Sequence, residues 1–228
     1  MRINKYISET GVCSRREADQ WIEAGRITIN GEPATLGSKV NEGDAVCVDG
    51  QPLGEKKPGI YIAFNKPVGI TCTSEPHIKD NIVGFIGHPE RIFPIGRLDK
   101  ESEGLILLTN DGDIVNEILR VENAHEKEYL VTVDRPVTDE FLNRMASGVR
   151  IMGVMTRPCV VKRLHPNCFS IILTQGLNRQ IRRMCAAFDY RVRRLQRIRI
   201  MHIRLGTLKR GQWRNLSREE LSGLGIHA

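Results

Sequence analysis

Between Arg150 and Asn215 the chain carries sixteen lysines and arginines and a single acid, Asp189. Such a stretch cannot neutralise itself. Whatever fold it adopts must set it against acids from elsewhere in the chain or against an external polyanion. The acids exist: residues 1–149 hold 24 Asp+Glu against 17 Lys+Arg, a net of −7, while the basic block is +15 and the whole chain +7. Fourteen of the sixteen cations are arginine. The guanidinium fork grips phosphate with two donors and stacks on bases, which points to nucleic acid. The competing account is neutralisation across the fold by the earlier acids.

Two hundred and twenty-eight residues suffice for one large domain, or a small and a medium one. Aromatics are only 5%, so the core should be aliphatic. The six cysteines, at 13, 47, 72, 159, 168 and 185, include no CxxC pair, which argues against zinc. Buried thiols are their expected fate. Without a signal peptide or an apolar run of membrane length, the expected compartment is the reducing cytoplasm, with no membrane partner.

The first module is short. Ile3, Tyr6 and Ile7 recur at helical spacing, and Ser14-Arg15-Arg16-Glu17 reads as a capping box opening a helix that runs to about Ala24 and closes at Gly25. Arg26–Gly31 and Gly43–Gly50 each combine a strand with a turn. Residues 55–59, EKKPG, read as a linker. Beyond it, strands are expected at 60–64, 105–109, 127–133, 159–164, 169–174 and 192–205. Helices are expected at 81–86, 112–119, 138–147, 179–188 and 218–221. Helices scattered among strands without regular βαβ alternation predict an α+β domain on a mainly antiparallel mixed sheet.

The order of the first module, a helix pair, then GRITINGEPA, then NEGDAVCVDG, resembles the S4 RNA-binding fold. That resemblance implies RNA contacts from Lys5, Ser14, Arg15, Arg16 and Arg26. Arg15 and Arg16 equally fit a solvated helix start, although positive charge is slightly unfavourable there. Four further stretches, NKPVG (65–69), GRLDKESEGLILLTNDG (96–112), HEKEYLVTVD (125–134) and GLNRQIRRMCAAFDYRVRRL (176–195), together resemble the RsuA-type branch of the RNA pseudouridine synthases. The likeness spans the whole chain. It divides the sequence into an S4-like domain at 1–57 and a catalytic domain at 60–228.

The reaction implied by that resemblance breaks the bond from ribose C1′ to uracil N1 and rejoins C1′ to C5. It gains and loses no atom, so no cofactor or metal is expected. It needs an ionised carboxylate, which the resemblance assigns to Asp99; taken alone, Asp99 is an ordinary turn aspartate. Burial would tend to protonate that acid, and a neighbouring guanidinium opposes this. The resemblance assigns that partner to Arg182, with the apolar wall from Ile181. A helix from about Arg179 would put Arg179, Arg182 and Arg183 near one face, one inward and the others toward phosphate. Asn178 is grouped with Arg179 and Arg183 as an RNA contact.

A stacked uridine must be extruded to react. Tyr129 is the implied stacking floor, with core packing as the alternative. Arg97 is the implied filler of the gap left in the RNA, with a salt bridge to Glu101 or Glu103 as the alternative. Asn65-Lys66-Pro67 is expected to be a mainly structural turn, with Lys66 touching RNA or merely solvated. His125 is expected to be structural.

The function implied is isomerisation of a uridine in 23S ribosomal RNA, with a tRNA anticodon-loop uridine as a second substrate, by a monomer. The competing function is a non-catalytic S4-type RNA-binding ribosome-assembly factor. A glycosidase would want two carboxylates with distinct roles, and no second acid stands out.

Overall fold

A computed structural model of the chain describes residues 1–119 and 124–226; residues 227 and 228, the end of the expected second domain, lie outside the described residues. The chain divides into two compact units.

The first unit comprises residues 1–60 with the short stretches 89–92 and 110–112. Helices α1 (Ile3–Glu9) and α2 (Arg15–Glu23) accompany strands β1 (Ile27–Ile29), β2 (Glu32–Pro33), β3 (Val46–Val48) and β4 (Gln51–Pro52), ordered β2-β1-β3-β4. The capping box forms as the sequence predicts: the Glu17 amide donates to Ser14 Oγ and the Ser14 amide to Glu17. Asn30 and Gly31 both have positive φ, the twist that joins two antiparallel strands through a tight turn. Ile3, Ile7, Ala18, Ile22, Ile27 and Val46 form the core. The Lys57 ammonium pairs with Glu90, and the Asn110 side chain bonds both Ile60 N (2.7 Å) and Pro58 O (2.8 Å).

The second unit is built on one long sheet. Its elements are β5 (Tyr61–Lys66), α3 (Ile82–Ile86), β6 (Phe93–Ile95), β7 (Glu103–Thr109), α4 (Gly112–Leu119), β8 (Lys127–Val133), α5 (Asp139–Ser147), β9 (Arg150–Ile151), β10 (Val154–Met155), β11 (Val160–His165), β12 (Cys168–Leu173), α6 (Gln180–Ala186), β13 (Val192–Ile200), β14 (Ile203–Arg204), β15 (Trp213–Asn215) and α7 (Arg218–Ser222). The order is β11-β12-β8-β13-β7-β5-β15, with β6 paired to β7 and β14 to β13. Among the described strands only β13–β7 is parallel. The expected mainly antiparallel α+β architecture is thus present. β13 feeds two apolar clusters: Leu195 packs with Val131, Phe141, Phe169 and Met184, and Ile200 with Leu105, Leu107, Ile114 and Ile203.

At the parallel junction Gly104 has φ +104°, and a Cβ there would lie 2.2 Å from Arg197 O. Only glycine lets β7 and β13 approach this closely.

Local reading failed where tertiary pairing decides. Asn65 and Lys66 continue β5 into the sheet instead of forming a turn. The expected strand 192–205 is a hairpin, broken at Met201 (φ 52°) and His202. The expected helix from Arg179 starts one residue later, with Arg179 itself left-handed (φ 50°) at the cap. The short strands β2, β4, β6, β9, β10 and β15 were not expected, because two or three residues carry no periodic signal.

Candidate active site

A cavity of about 730 Å³ opens in the second unit, lined by the 95–102 loop, by β8 and β13, and by the 174–181 segment. The loop follows β6 and is clamped where the Ser102 amide donates to Asp99 O (3.0 Å) and the Leu98 amide to Cys72 Sγ (3.3 Å). That clamp turns Asp99 toward the cavity with its side chain 31% exposed, reachable yet flanked by protein. Asp99 is the one carboxylate among the described lining residues.

Arg182 approaches from α6. Its Nε stands 4.0 Å from Asp99 Oδ2 and 3.9 Å from Glu101 Oε2. Its Nη2 donates to Glu101 O (3.1 Å) and Ser102 Oγ (3.3 Å), and its Nη1 to Val192 O (3.4 Å). Those carbonyl contacts fix the guanidinium plane. Nε is buried without a hydrogen-bond partner, just beyond bonding distance of Asp99. Arg179 pairs with Glu101 at 2.7 Å, and this hydrogen bond holds the Glu101 carboxyl below its usual range, with the nearby Arg182 charge adding to it.

Tyr129 on β8 lines the same cavity, partly exposed, and also packs against the apolar cluster around Phe169. Ile181 is buried and lines it. Arg97 is exposed at the rim and makes no ion pair among the described residues; Glu101 and Glu103 have other partners. Asn178 lines the cavity and accepts from Arg183, whose guanidinium folds back onto Asn178 O and Oδ1 at 3.0 Å each.

One expectation is corrected. Lys66 is fully buried, donating to Pro67 O at 2.8 Å, so it cannot touch RNA at the surface. Burial pulls its ammonium below the ordinary lysine value, and Asp99 and Glu103 oppose that shift. It is an internal cation behind the Asp99 loop.

In the first unit Arg15 and Arg16 are exposed. Lys5 pairs with Glu9 at 3.5 Å, Ser14 Oγ serves the helix cap, and Arg26 pairs with Asp49 while its guanidinium covers Trp21 at 4.9 Å.

Part of the basic block is neutralised by earlier acids. Arg163 pairs with Asp139, Arg194 and Arg210 with the buried Glu103, and Arg199 with Glu126 and Glu128.

Two cavity residues escaped sequence reasoning. Arg197 is 4% exposed, with Nε donating to Leu105 O (2.7 Å) and Nη2 buried without a partner. Lys127 donates to His125 O (3.2 Å), and burial, reinforced by Arg197, lowers its pKa. Both read as surface charges, Lys127 between two glutamates and Arg197 in an arginine-rich run. The available signal was their place in the inward-facing alternation of β8 and β13.

The site and fold agree with known proteins. Residues 60–187 match the RNA pseudouridylate synthase family and residues 1–46 the S4 domain. The chain is 56% identical over 226 residues to a dual-specificity RNA pseudouridine synthase RluF of Escherichia coli O6:H1, covering 98% of this chain and 78% of that one. It is 32% identical to ribosomal large subunit pseudouridine synthase B of Bacillus subtilis, over 98% of this chain and 95% of that one. A crystal structure of a pseudouridylate synthase superposes with TM-score 0.73 at 29% identity, covering 98% and 99% of the two chains. The chain therefore belongs to the RNA pseudouridylate synthase family, in its RsuA-type branch with an N-terminal S4 domain, and is an RNA pseudouridine synthase.

Proposed function

We propose that this enzyme isomerises a uridine of 23S ribosomal RNA, with a tRNA anticodon-loop uridine as second substrate, and that Asp99 is its essential carboxylate. The observation carrying the Asp99 assignment is that one carboxylate lines the cavity among the described residues, with an arginine approaching it from α6. A two-acid hydrolytic mechanism has no second partner there. Two substrates are supported by the dual-specificity naming of relatives at 55–56% identity. The S4 domain supplies an RNA-binding module, with Arg15, Arg16 and Arg26 among its exposed cations.

In this reading Tyr129 stacks on the extruded base, Ile181 walls its apolar side, Arg97 fills the gap in the RNA, and Arg182 positions Asp99. Asn178, Arg179 and Arg183 meet the flanking RNA. The domains divide between residues 57 and 60, and the enzyme acts as a monomer. Six free cysteines fit a reducing compartment, and no helix among the described residues is long and apolar enough to cross a membrane.

The test is pseudouridine mapping of ribosomal and transfer RNA from cells with the protein, without it, and with Asp99→Asn in its place. The expected result is loss of one 23S site and one tRNA anticodon-loop site in both altered strains. The purified variant should keep RNA affinity within about threefold, because phosphate contacts supply most of the binding. A folded Asp99→Asn enzyme with normal turnover would remove Asp99 from the chemistry. Loss of sites in other RNAs only would overturn the substrate assignment.

A further inference from the structure

Arg197 and Tyr129 are direct partners across the β13–β8 pairing, so their side chains leave the sheet on the same face. Lys127, two residues before Tyr129, shares that face. All three line the cavity that holds Asp99. Two cations therefore stand beside the tyrosine on the wall. Neither forms an ion pair among the described residues: each has one protein carbonyl as acceptor. Arg197 is 4% exposed, and its Nη2 is buried and unpartnered.

Burying a guanidinium without a counter-ion is strongly unfavourable in ordinary proteins. Elsewhere in this unit buried or half-buried arginines are met by carboxylates, as Arg199 is by Glu126 and Glu128. A wall that keeps two uncompensated cations is suited to a ligand that is itself an acceptor, or becomes an anion, inside the cavity.

The reaction makes such a species. When C1′–N1 breaks, its electron pair leaves with the uracil ring, and the charge spreads over N1, O2 and O4. Forming C1′–C5 uses the ring's electrons, C5 gives up its proton, and N1 ends as N–H, so the balance closes with no co-reactant. We propose that Lys127 and Arg197 bind the carbonyl edge of the extruded uracil and stabilise it as the detached anion, which makes both of them catalytic residues. Donors fixed in a dry site before the charge develops stabilise it without reorganising, and removing one such donor lowers kcat about 10²–10³-fold. The same attraction would hold the detached base in the cavity while it turns.

This inference rests on the reading of the cavity as the uracil site, so Asp99→Asn is measured alongside. The substrate is RNA isolated from cells lacking the protein, with pseudouridine formed at the mapped sites as readout. Arg197→Met and Lys127→Met remove charge at similar length; Arg197→Lys and Lys127→Arg restore it. The expected result is a kcat for each methionine variant lowered by about 10²-fold or more, KM within about threefold, and substantial recovery in the charge-restoring variants. The melting temperature of Arg197→Met should be unchanged or raised, since an unpaired buried charge is gone. Folded methionine variants with near-normal kcat would overturn the proposal. So would rate losses that track lost melting temperature and are not recovered by Lys or Arg, the pattern of a structural role. If Asp99→Asn is itself active, the uracil-site reading fails. If Asp99→Asn is inactive and both methionine variants are active, only the present proposal fails.

Discussion

Arg182 and Arg197 come from the same basic block, yet they occupy opposite electrostatic settings. Arg182 sits at the rim, among Asp99, Glu101 and two backbone carbonyls, with Arg179 sharing Glu101. Arg197 sits in the wall with one carbonyl and no carboxylate, near Lys127 and Lys66. At the rim, cations and acids are matched, and water screens the outer pair, Arg179 with Glu101, while Arg182 lies deeper behind it. In the wall the positive charge is unmatched and dry, so its field reaches into the cavity at low dielectric. The rim positions Asp99; in the proposed reading the wall sets the potential that an extruded base would meet.

The largest effect that separates the two settings comes from Gly104→Ala. A methyl 2.2 Å from Arg197 O, at φ +104°, must push β13 away from β7. The expected outcome is failure to fold, or a melting temperature lower by about 10 °C or more, since a few kcal/mol of strain acts on a chain of this size. A soluble variant with normal melting temperature would mean that the wall is not fixed by this junction.

Next in size is Tyr129. If the wall works through the ring face, Tyr129→Phe keeps most of the rate, and Tyr129→Ala loses about one to two decades, the worth of a base–aromatic stack felt at the transition state. Equal damage by Phe and Ala would mean that the hydroxyl matters. Because Tyr129 also touches the core, melting curves on the same samples are required. An alanine variant that is slow only because it is unfolded returns Tyr129 to packing.

The smallest effect belongs to the rim. Arg179→Ala releases Glu101, whose side chain is 59% exposed, so screening limits the change to under about 1 kcal/mol. The Glu101 carboxyl, now held low by Arg179, should titrate closer to its ordinary value, readable by NMR. A lowered folded pKa contributes stability above the ordinary carboxylate range and loses it as pH falls through the folded value. The deficit of Arg179→Ala should therefore be present at neutral pH and vanish in acid. Turnover should change less than about threefold. A hundredfold loss would show that rim and wall are not separable.

The S4-like unit was legible because its signals are local. The capping box at Ser14–Glu17, the positive-φ turn at Asn30-Gly31 and the apolar spacing of Ile3 and Ile7 lie within a few residues of one another. In the second unit the same kind of signal placed α3, α4, α5 and β8. Asp99, Tyr129, Ile181 and Arg182 stood together as candidates only through the resemblance of their motifs to a known family, and the fold brings Asp99, Tyr129 and Ile181 to the lining of one cavity, with Arg182 beside Asp99.

What remained hidden was every property that depends on a partner distant in the chain. Lys66 reads as a turn lysine, and it is buried because β5 is flanked by β7 and β15. Glu103 reads as a loop acid, and it is the buried anchor of Arg194 and Arg210. By itself the sequence determined most of the longer elements, since caps, turns and alternation are set by near neighbours, and its motifs, through their resemblance to a known family, named the fold and the candidate reacting groups. Only the tertiary structure decided which cations meet acids and which stand unpaired against the cavity. Residue types fix charge, but distance and burial fix its energy, and those come from strand pairing between residues up to 153 positions apart, as between Ile62 and Asn215.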